Sequence, residues 1–248
     1  MSYTLRALIK KEIITEFVLP YSPRSTKVII LLGGLPGYPA KKELMFWLAE
    51  KGYWVFLPRY RGTWESDGLL FQKSPHLDVS DVIDVLSSGF TDLWNNQKYQ
   101  IKNPKVYLIG SSFGGAAAIL ASTDKRVKKA IAISPVIDWL AESEFSVEPL
   151  LKLEKFTEQA FGHGYRLAKN GWQKIRSGNF YNPISALKTL DKNKIYLIAA
   201  SDDEVVPIGA AKKFVSELNC QFTFLNKGGH SLKINRAVIW KRIEKFLK

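Results

Sequence analysis

Residues 105–122 read KVYLIGSSFGGAAAILAS, and the pattern of this stretch changes halfway along its length. An apolar, β-branched run ends at Gly110, two serines follow, and small residues continue from Gly114. The first part is typical of a buried strand, and the second part is typical of a helix that packs closely. The stretch therefore predicts a sharp strand-to-helix turn with Ser111 and Ser112 at its tip.

Three interpretations of this turn are open: a phosphate-binding loop, a catalytic serine, or a packed turn without chemistry. A phosphate-binding loop needs a lysine directly after its glycines, and none is present here. The turn does fit G-x-S-x-G, with Gly110 and Gly114 placed symmetrically around Ser112. Glycines at these positions remove the collisions of a turn tight enough to expose one hydroxyl. Ser111 lacks the symmetric glycines, so Ser112 is the candidate nucleophile.

The rest of the chain alternates short apolar runs with longer helical patterns. Predicted strands lie at 27–32, 53–58, 105–110, 128–134, 194–200 and 221–225, and an antiparallel pair at the N-terminus turns at Lys10 and Lys11. Predicted helices lie at 43–52, 78–98, 114–122, 208–218 and 235–248. This alternation predicts an α/β fold with about eight mostly parallel strands and helices on both faces. We expect one domain over 1–248, with the aromatic stretch 138–183 as a helical cap.

Composition excludes several other classes of protein. The net charge is 36 − 23 = +13, but the basic residues are scattered in pairs, which indicates a solvated surface and no specific nucleic acid partner. The single cysteine, Cys220, excludes a disulfide framework and favours a reducing compartment. No leader or long apolar run is visible, so we expect a cytoplasmic protein with no membrane partner. With only three histidines and one cysteine, we expect no metal site. The sequence does not indicate the oligomeric state.

A serine hydroxyl needs a base, and the base needs an orienting acid. His230, in NKGGHS (226–231), directly follows the last predicted strand, whereas His76 precedes the serine and His163 lies in the predicted cap. Two carboxylates, Asp202 and Asp203, follow the strand 194–200 in SDDEVVP. Either of them could instead only cap the next helix.

These motifs, in this order, resemble the α/β-hydrolase superfamily from about Lys27 to the C-terminus. The resemblance implies a triad of Ser112, Asp203 and His230, with Asp202 as the second choice for the acid and Asp138 as a more distant one. The stretch LLGGLPG (31–37) resembles the oxyanion loop H-G-x-P-G of that superfamily, although Gly33 stands where histidine is usual. On this resemblance the backbone N–H groups of Leu35 and Phe113 would form the oxyanion hole.

The stretch PRYRGTWESDG (58–68) resembles a loop that shapes the site floor in prolyl oligopeptidase-like and esterase-like hydrolases, with Thr63 and Trp64 departing from the pattern. The resemblance implies hydrolysis of a carboxylic ester, thioester or amide through an acyl-enzyme, without a metal or organic cofactor. The expected partner is a small ester or short peptide substrate. Two alternatives are a prolyl oligopeptidase-like aminopeptidase or acyl-peptidase, and a non-catalytic hydrolase-fold protein that binds a ligand or partner.

Overall fold

The computed structural model describes residues 3–141 and 150–248. The strands are β1 (Leu5–Ile9), β2 (Ile13–Val18), β3 (Lys27–Leu32), β4 (Trp54–Pro58), β5 (Phe90–Thr91), β6 (Lys98–Tyr99), β7 (Lys105–Ser111), β8 (Val127–Ile133), β9 (Ile195–Ala200) and β10 (Gln221–Leu225). The helices are α1 (Lys42–Glu50), α2 (His76–Ser88), α3 (Phe113–Ala121), α4 (Leu150–Phe161), α5 (Gly171–Arg176), α6 (Ile208–Leu218) and α7 (Ala237–Leu247). Within the described ranges, no helix has the length and apolarity that crossing a bilayer requires.

Eight of the strands in the described residues form one sheet, in the order β1-β2-β4-β3-β7-β8-β9-β10. The pairs β1–β2 and β2–β4 are antiparallel, and the pairs from β4 to β10 are parallel. The antiparallel N-terminal pair turns where predicted, with Lys10 and Lys11 at positive φ. The mostly parallel sheet confirms the predicted fold class. It also brings the carboxyl ends of β3, β7, β8, β9 and β10 to one edge.

The two faces of the sheet are covered by different helices. Strand β3 shows why, because its side chains alternate between the faces. Val28 and Ile30 pack in the cluster that contains α2 and α3, whereas Ile29 and Leu31 pack in the cluster that contains α1 and α7. All four side chains are buried. Each such side chain contributes about 1.5–3 kcal/mol on leaving water, so a strand apolar throughout is stable only between two helical layers.

The predicted helix over 78–98 is wrong in its second half. Helix α2 ends at Ser88, where Gly89 adopts a φ of +111°. The chain then continues as the antiparallel ribbon of β5 and β6. The side chain of Phe90 is buried edge-on against Phe17, with 5.1 Å between the ring centroids. The spacing of Phe90 from the apolar residues of α2 fits helical periodicity. Phe90 nevertheless lies in the strand β5, and from there it packs on Phe17.

The described parts of the predicted cap, 138–141 and 150–183, carry α4 and α5, whereas residues 142–149 lie outside the described residues. The predicted cap contacts the 58–68 loop through hydrogen bonds between backbone groups. The N–H of Trp64 donates to the carbonyl of Gly164 at 2.7 Å, and the N–H of Arg166 donates to the carbonyl of Gly62 at 2.6 Å. The boundaries of the cap and the single-domain assignment stay predictions.

The turn between β7 and α3 is built on close backbone contacts. A Cβ atom on Gly110 would overlap the carbonyl oxygen of Gly114, and a Cβ atom on Gly114 would overlap the carbonyl oxygen of Leu32. Between them, Ser112 is held at a φ of +55° and a ψ of −121°, a conformation that L-residues rarely adopt. A residue held there costs about 1–3 kcal/mol, which the packing around the turn must offset.

Gly114→Ala should therefore destabilise the protein by about 3 kcal/mol and lower its Tm by about 6–12 °C, because the added methyl group meets backbone rather than a movable side chain. Thermal unfolding followed by circular dichroism measures the effect. Gly33→Ala is the matched control, because a Cβ atom there has no neighbour within 4 Å. It should change stability by no more than about 0.5 kcal/mol. Equal Tm values for the two variants would contradict the proposed close packing.

Candidate active site

Ser112 is anchored by its backbone between two strand ends. Its N–H donates to the carbonyl of Ile133 at 2.9 Å, and its own carbonyl accepts from the N–H groups of Gly115 at 2.9 Å and Val136 at 3.2 Å. The residue is half-buried and lies on the wall of a cavity. The tight turn thus presents the hydroxyl at the carboxyl end of β7, where parallel sheets bind ligands.

The cavity has a volume of about 980 Å³, which is enough for a small organic molecule. Residues from five parts of the chain line it: Ser112 from the serine turn, Leu35 and Gly37 from the 31–37 loop, Trp64 from the 58–68 loop, Tyr165 from the predicted cap, and His230 from the loop after β10. The carboxyl edge of the sheet, the 58–68 loop and the predicted cap therefore surround one cavity.

His230 and Asp203, the base and the acid that the resemblance implies, lie together at this edge. The Nδ1 atom of His230 is 2.9 Å from Oδ2 and 3.1 Å from Oδ1 of Asp203. The Asp203 side chain is fully buried, and the His230 side chain is 23% exposed. A proton on Nδ1 donated to this carboxylate leaves Nε2 able to accept one.

The carboxylate of Asp203 is held in its ionised form. Its Oδ1 accepts from the N–H groups of Val205 at 3.0 Å and Val206 at 2.9 Å. Burial opposes ionisation, but the hydrogen bonds from His230 and Val206 outweigh it, so the pKa of Asp203 lies below its ordinary value. An ionised acid beside Nδ1 fixes both the tautomer and the orientation of the ring.

The other two candidate acids have different partners. The carboxylate of Asp202 accepts from the backbone N–H groups of Gly228 at 2.9 Å and Gly229 at 2.8 Å, so it holds the loop that carries His230. Asp138 accepts from the side-chain amide of Asn182 at 3.0 Å, within the cap. Of the three, Asp203 is the one that contacts the imidazole.

Ser112 and His230 share the cavity wall, but no hydrogen bond joins the Ser112 hydroxyl to the imidazole among the described residues. The 31–37 loop lies close to the serine, since a Cβ atom on Gly34 would be 3.9 Å from Oγ of Ser112. Leu35 lines the cavity, and Phe113 is buried directly beneath the turn. In the part of the chain that the structure describes, no protein acceptor takes the backbone N–H of either residue.

Sequence reasoning missed two tyrosines that brace this arrangement. The hydroxyl of Tyr165 donates to the carbonyl of Gly37 at 3.0 Å and accepts from its N–H at 2.8 Å, while the indole N–H of Trp64 donates to the same carbonyl at 3.1 Å. The hydroxyl of Tyr181 donates to the carbonyl of Phe113 at 2.6 Å. Their phenolic hydroxyls, which usually find a partner when buried, were the available signal.

The remaining histidines and the thiol lie outside the cavity wall. His76 is bonded to the Ser74 hydroxyl at 2.8 Å, and burial lowers its pKa to about 4, so it is neutral at physiological pH. His163 lies in the cap turn Gly162–Gly164. Burial raises the pKa of Cys220 to about 11, which leaves the thiol protonated and inert.

Residues 40–246 match the prolyl oligopeptidase family. The polyketide transferase GrgF from Penicillium is 28% identical over 139 residues, an alignment that covers 55% of this chain and 45% of the transferase. Among solved structures, an acylaminoacyl peptidase from Pyrococcus horikoshii superposes with a TM-score of 0.65 at 19% identity, over 99% of this chain and 40% of that one. An esterase from Pyrococcus furiosus superposes with a TM-score of 0.66 at 17% identity, over 100% of this chain and 92% of that one.

The sheet topology and the likeness to these solved structures define the fold as that of the α/β hydrolases. Because the match extends over most of its length, the chain belongs to the prolyl oligopeptidase family. It spans less than half the length of the peptidase that it resembles, and it aligns with less than half of the transferase sequence.

The lowered pKa of Asp203 predicts how stability depends on pH. The unfolded chain binds the proton first as the pH falls below the ordinary value of 3.8, so the stabilisation from this carboxylate is complete above that value and is lost as pH falls through the folded pKa. Asp203→Asn should therefore cost more unfolding free energy at about pH 7 than at about pH 3. Urea denaturation at both pH values measures the gap. Glu217→Gln, at an exposed site on α6, is the control, and an Asp203→Asn gap that does not change with pH would contradict the prediction.

Proposed function

We propose that the protein hydrolyses a carboxylic ester through an acyl-enzyme on Ser112, with His230 as the base and Asp203 as the acid that orients it. The proposal also admits thioesters and amides as substrates. One observation carries it: His230, which lines the same cavity as Ser112, is hydrogen-bonded to the buried carboxylate of Asp203. A buried carboxylate that orients an imidazole near a strained serine is the arrangement that activates a hydroxyl nucleophile.

In the first half of the reaction, Nε2 of His230 takes the proton of Ser112 while Oγ attacks the substrate carbonyl carbon. The imidazolium is stabilised by the ionised Asp203 and then gives the proton to the leaving group. Water repeats these steps to release the acid. On this proposal a hydrogen bond from the Ser112 hydroxyl to His230 forms when substrate fills the cavity, because catalytic hydrogen bonds that are long or poorly aligned without substrate commonly tighten with it.

The negative charge that develops on the substrate oxygen rests on the backbone N–H groups of Leu35 and Phe113. Support comes from the position of the 31–37 loop beside Ser112 and from the lack of a protein acceptor for either N–H among the described residues. Each donor of this kind contributes about 2.7–4 kcal/mol to lowering the barrier, or about 10²–10³ in rate. Tyr165 and Tyr181 position the two donors by binding Gly37 and the Phe113 carbonyl.

The chain as a whole is proposed to be one hydrolase domain with residues 138–183 as its cap. The cap supplies aromatic side chains to the cavity, including Tyr165 and Phe156, which favours a substrate with an apolar part. A cytoplasmic location belongs to the same proposal, since the single thiol, Cys220, is buried and unpaired.

The second candidate function is that of an aminopeptidase or acyl-peptidase. The family match and the structural likeness to an acylaminoacyl peptidase favour it. Both functions use the same serine chemistry, and they differ in the leaving group and in how the cavity holds the acyl part. The non-catalytic alternative predicts the loss of a triad residue, whereas Ser112, Asp203 and His230 are all present in this chain.

Labelling by a fluorophosphonate tests the nucleophile. The wild-type protein should be labelled, and Ser112→Ala should abolish labelling, because only an activated hydroxyl attacks the probe. Ser111→Ala, one residue earlier in the same turn, is the matched control and should keep its label. Mass spectrometry of the labelled peptide assigns the site. Folded wild-type protein that takes no label would favour the non-catalytic alternative.

Substrate panels separate the two enzymatic functions. We expect turnover of 4-nitrophenyl esters and slower or no turnover of aminoacyl 4-nitroanilides, with absorbance of the released chromophore as the measurement. An enzyme that cleaves the anilides and leaves the esters intact would be a peptidase, and the first choice would be wrong.

Asp203→Asn should lower kcat by about 10³–10⁴, because an amide beside Nδ1 favours the wrong tautomer of His230. Asp202→Asn is the control, since that carboxylate binds the backbone of Gly228 and Gly229 rather than the ring. It should cost at most about tenfold. Initial rates on one ester at saturation measure both. Equal losses for the two variants would refute the assignment of Asp203.

A further inference from the structure

The charged side chains on the cavity wall are unbalanced. Four are basic and one is acidic, apart from His230; they are Lys41, Lys42, Arg59, Lys233 and Glu43. Such an excess inside a concave, partly apolar space raises the local concentration of anions.

The guanidinium of Arg59 is already neutralised. Its Nη2 is 2.9 Å from a carboxylate oxygen of Glu16, and its Nη1 is 3.1 Å from a carboxylate oxygen of Glu65. Lys42 and Lys233 are exposed at the rim, where water screens their charge. These residues contribute to the field of the cavity, but they do not define a specific contact.

Lys41 differs from these residues. It directly precedes α1, it is only partly exposed, and it lines the same cavity as Ser112 and His230. In the described ranges no carboxylate pairs with its ammonium group, although the cavity wall around it removes much of its water. Burial accordingly lowers the pKa of Lys41. A half-buried cation without a partner is destabilised, and an anion bound in the cavity would relieve that cost.

We infer that the substrate of the proposed hydrolase carries a negatively charged oxyanion group, such as a carboxylate, and that Lys41 binds this group while the ester carbonyl lies at Ser112. The inference rests on the proposed function. The charge can belong to the acyl part or to the leaving group. In either case an aromatic or aliphatic segment would occupy the apolar wall near Trp64 and Tyr165.

Two pairs of probes place the charge. On the acyl side, 4-nitrophenyl hydrogen glutarate is compared with 4-nitrophenyl pentanoate, which has a methyl group in place of the carboxylate. On the leaving-group side, 4-pentanoyloxybenzoate is compared with its methyl ester. Each kcat/KM is divided by the rate constant of alkaline hydrolysis, so that intrinsic reactivity cancels. We expect the anionic member of at least one pair to be preferred by roughly tenfold, the effect of one charged hydrogen bond.

Lys41→Met removes the charge and keeps most of the apolar stem. It should abolish that preference by raising KM for the anionic ester, and it should leave kcat/KM for the neutral partner within about twofold, which also shows that the variant is folded. Lys41→Arg should restore most of the preference. Lys213→Met, an equal change of net charge at an exposed position on α6 outside the cavity wall, should leave the preference intact.

The outcomes separate the two proposals. A preference in one pair that Lys41→Met removes supports the inference and assigns the charge to that side of the ester. No preference in either pair, or equal losses on anionic and neutral esters, overturns the inference and leaves the hydrolase proposal standing. If the folded wild-type protein turns over none of the four esters and takes no fluorophosphonate label, the proposed function fails and the inference fails with it.

Discussion

The site depends on one steric constraint, the absence of a side chain at Gly110 and Gly114. Only without those Cβ atoms can the end of β7 and the start of α3 approach closely enough to hold Ser112 at a positive φ. The strain is local, and the fully buried helix α3 behind the turn offsets it by packing against the sheet. The same approach leaves the backbone of Gly34 beside the serine. The steric constraint thus positions Ser112, the proposed nucleophile, together with the 31–37 loop beside it.

Besides the hydrogen bond between the Asp203 and His230 side chains, hydrogen bonds from side chains to the backbone hold the other parts of the site in place. Asp202 holds the two glycines before His230, Tyr165 holds Gly37, and Tyr181 holds the carbonyl of Phe113. Both tyrosines belong to the predicted cap (138–183), so this segment contacts both chain segments that carry the proposed oxyanion donors. A change in the cap would therefore alter rate as well as substrate preference.

Some of these features were readable from the chain and others were not. The alternation of strands and helices was readable because each element buries a full face and so carries its own periodicity. The helix predicted over 78–98 failed because Phe90 packs on Phe17, a contact between segments far apart in sequence. From the sequence, only the resemblance to known hydrolases favours Asp203 over Asp202 as the acid. Two adjacent carboxylates after one strand cannot be told apart until their hydrogen-bond partners are known.

Local sterics predict the strand-to-helix turn at Ser112, and hydrophobic periodicity predicts the mostly parallel sheet, so the sequence alone is enough for both. The chain order of Ser112, the two aspartates and His230 can also be seen in the sequence. The tertiary structure adds that Asp203 contacts the imidazole, that Tyr165 binds Gly37 and Tyr181 binds the Phe113 carbonyl, and that Lys41 lines the same cavity as Ser112. Those facts depend on contacts between distant segments. Their energies are set by distance, burial and charge in the folded state, and no local pattern of residues encodes them.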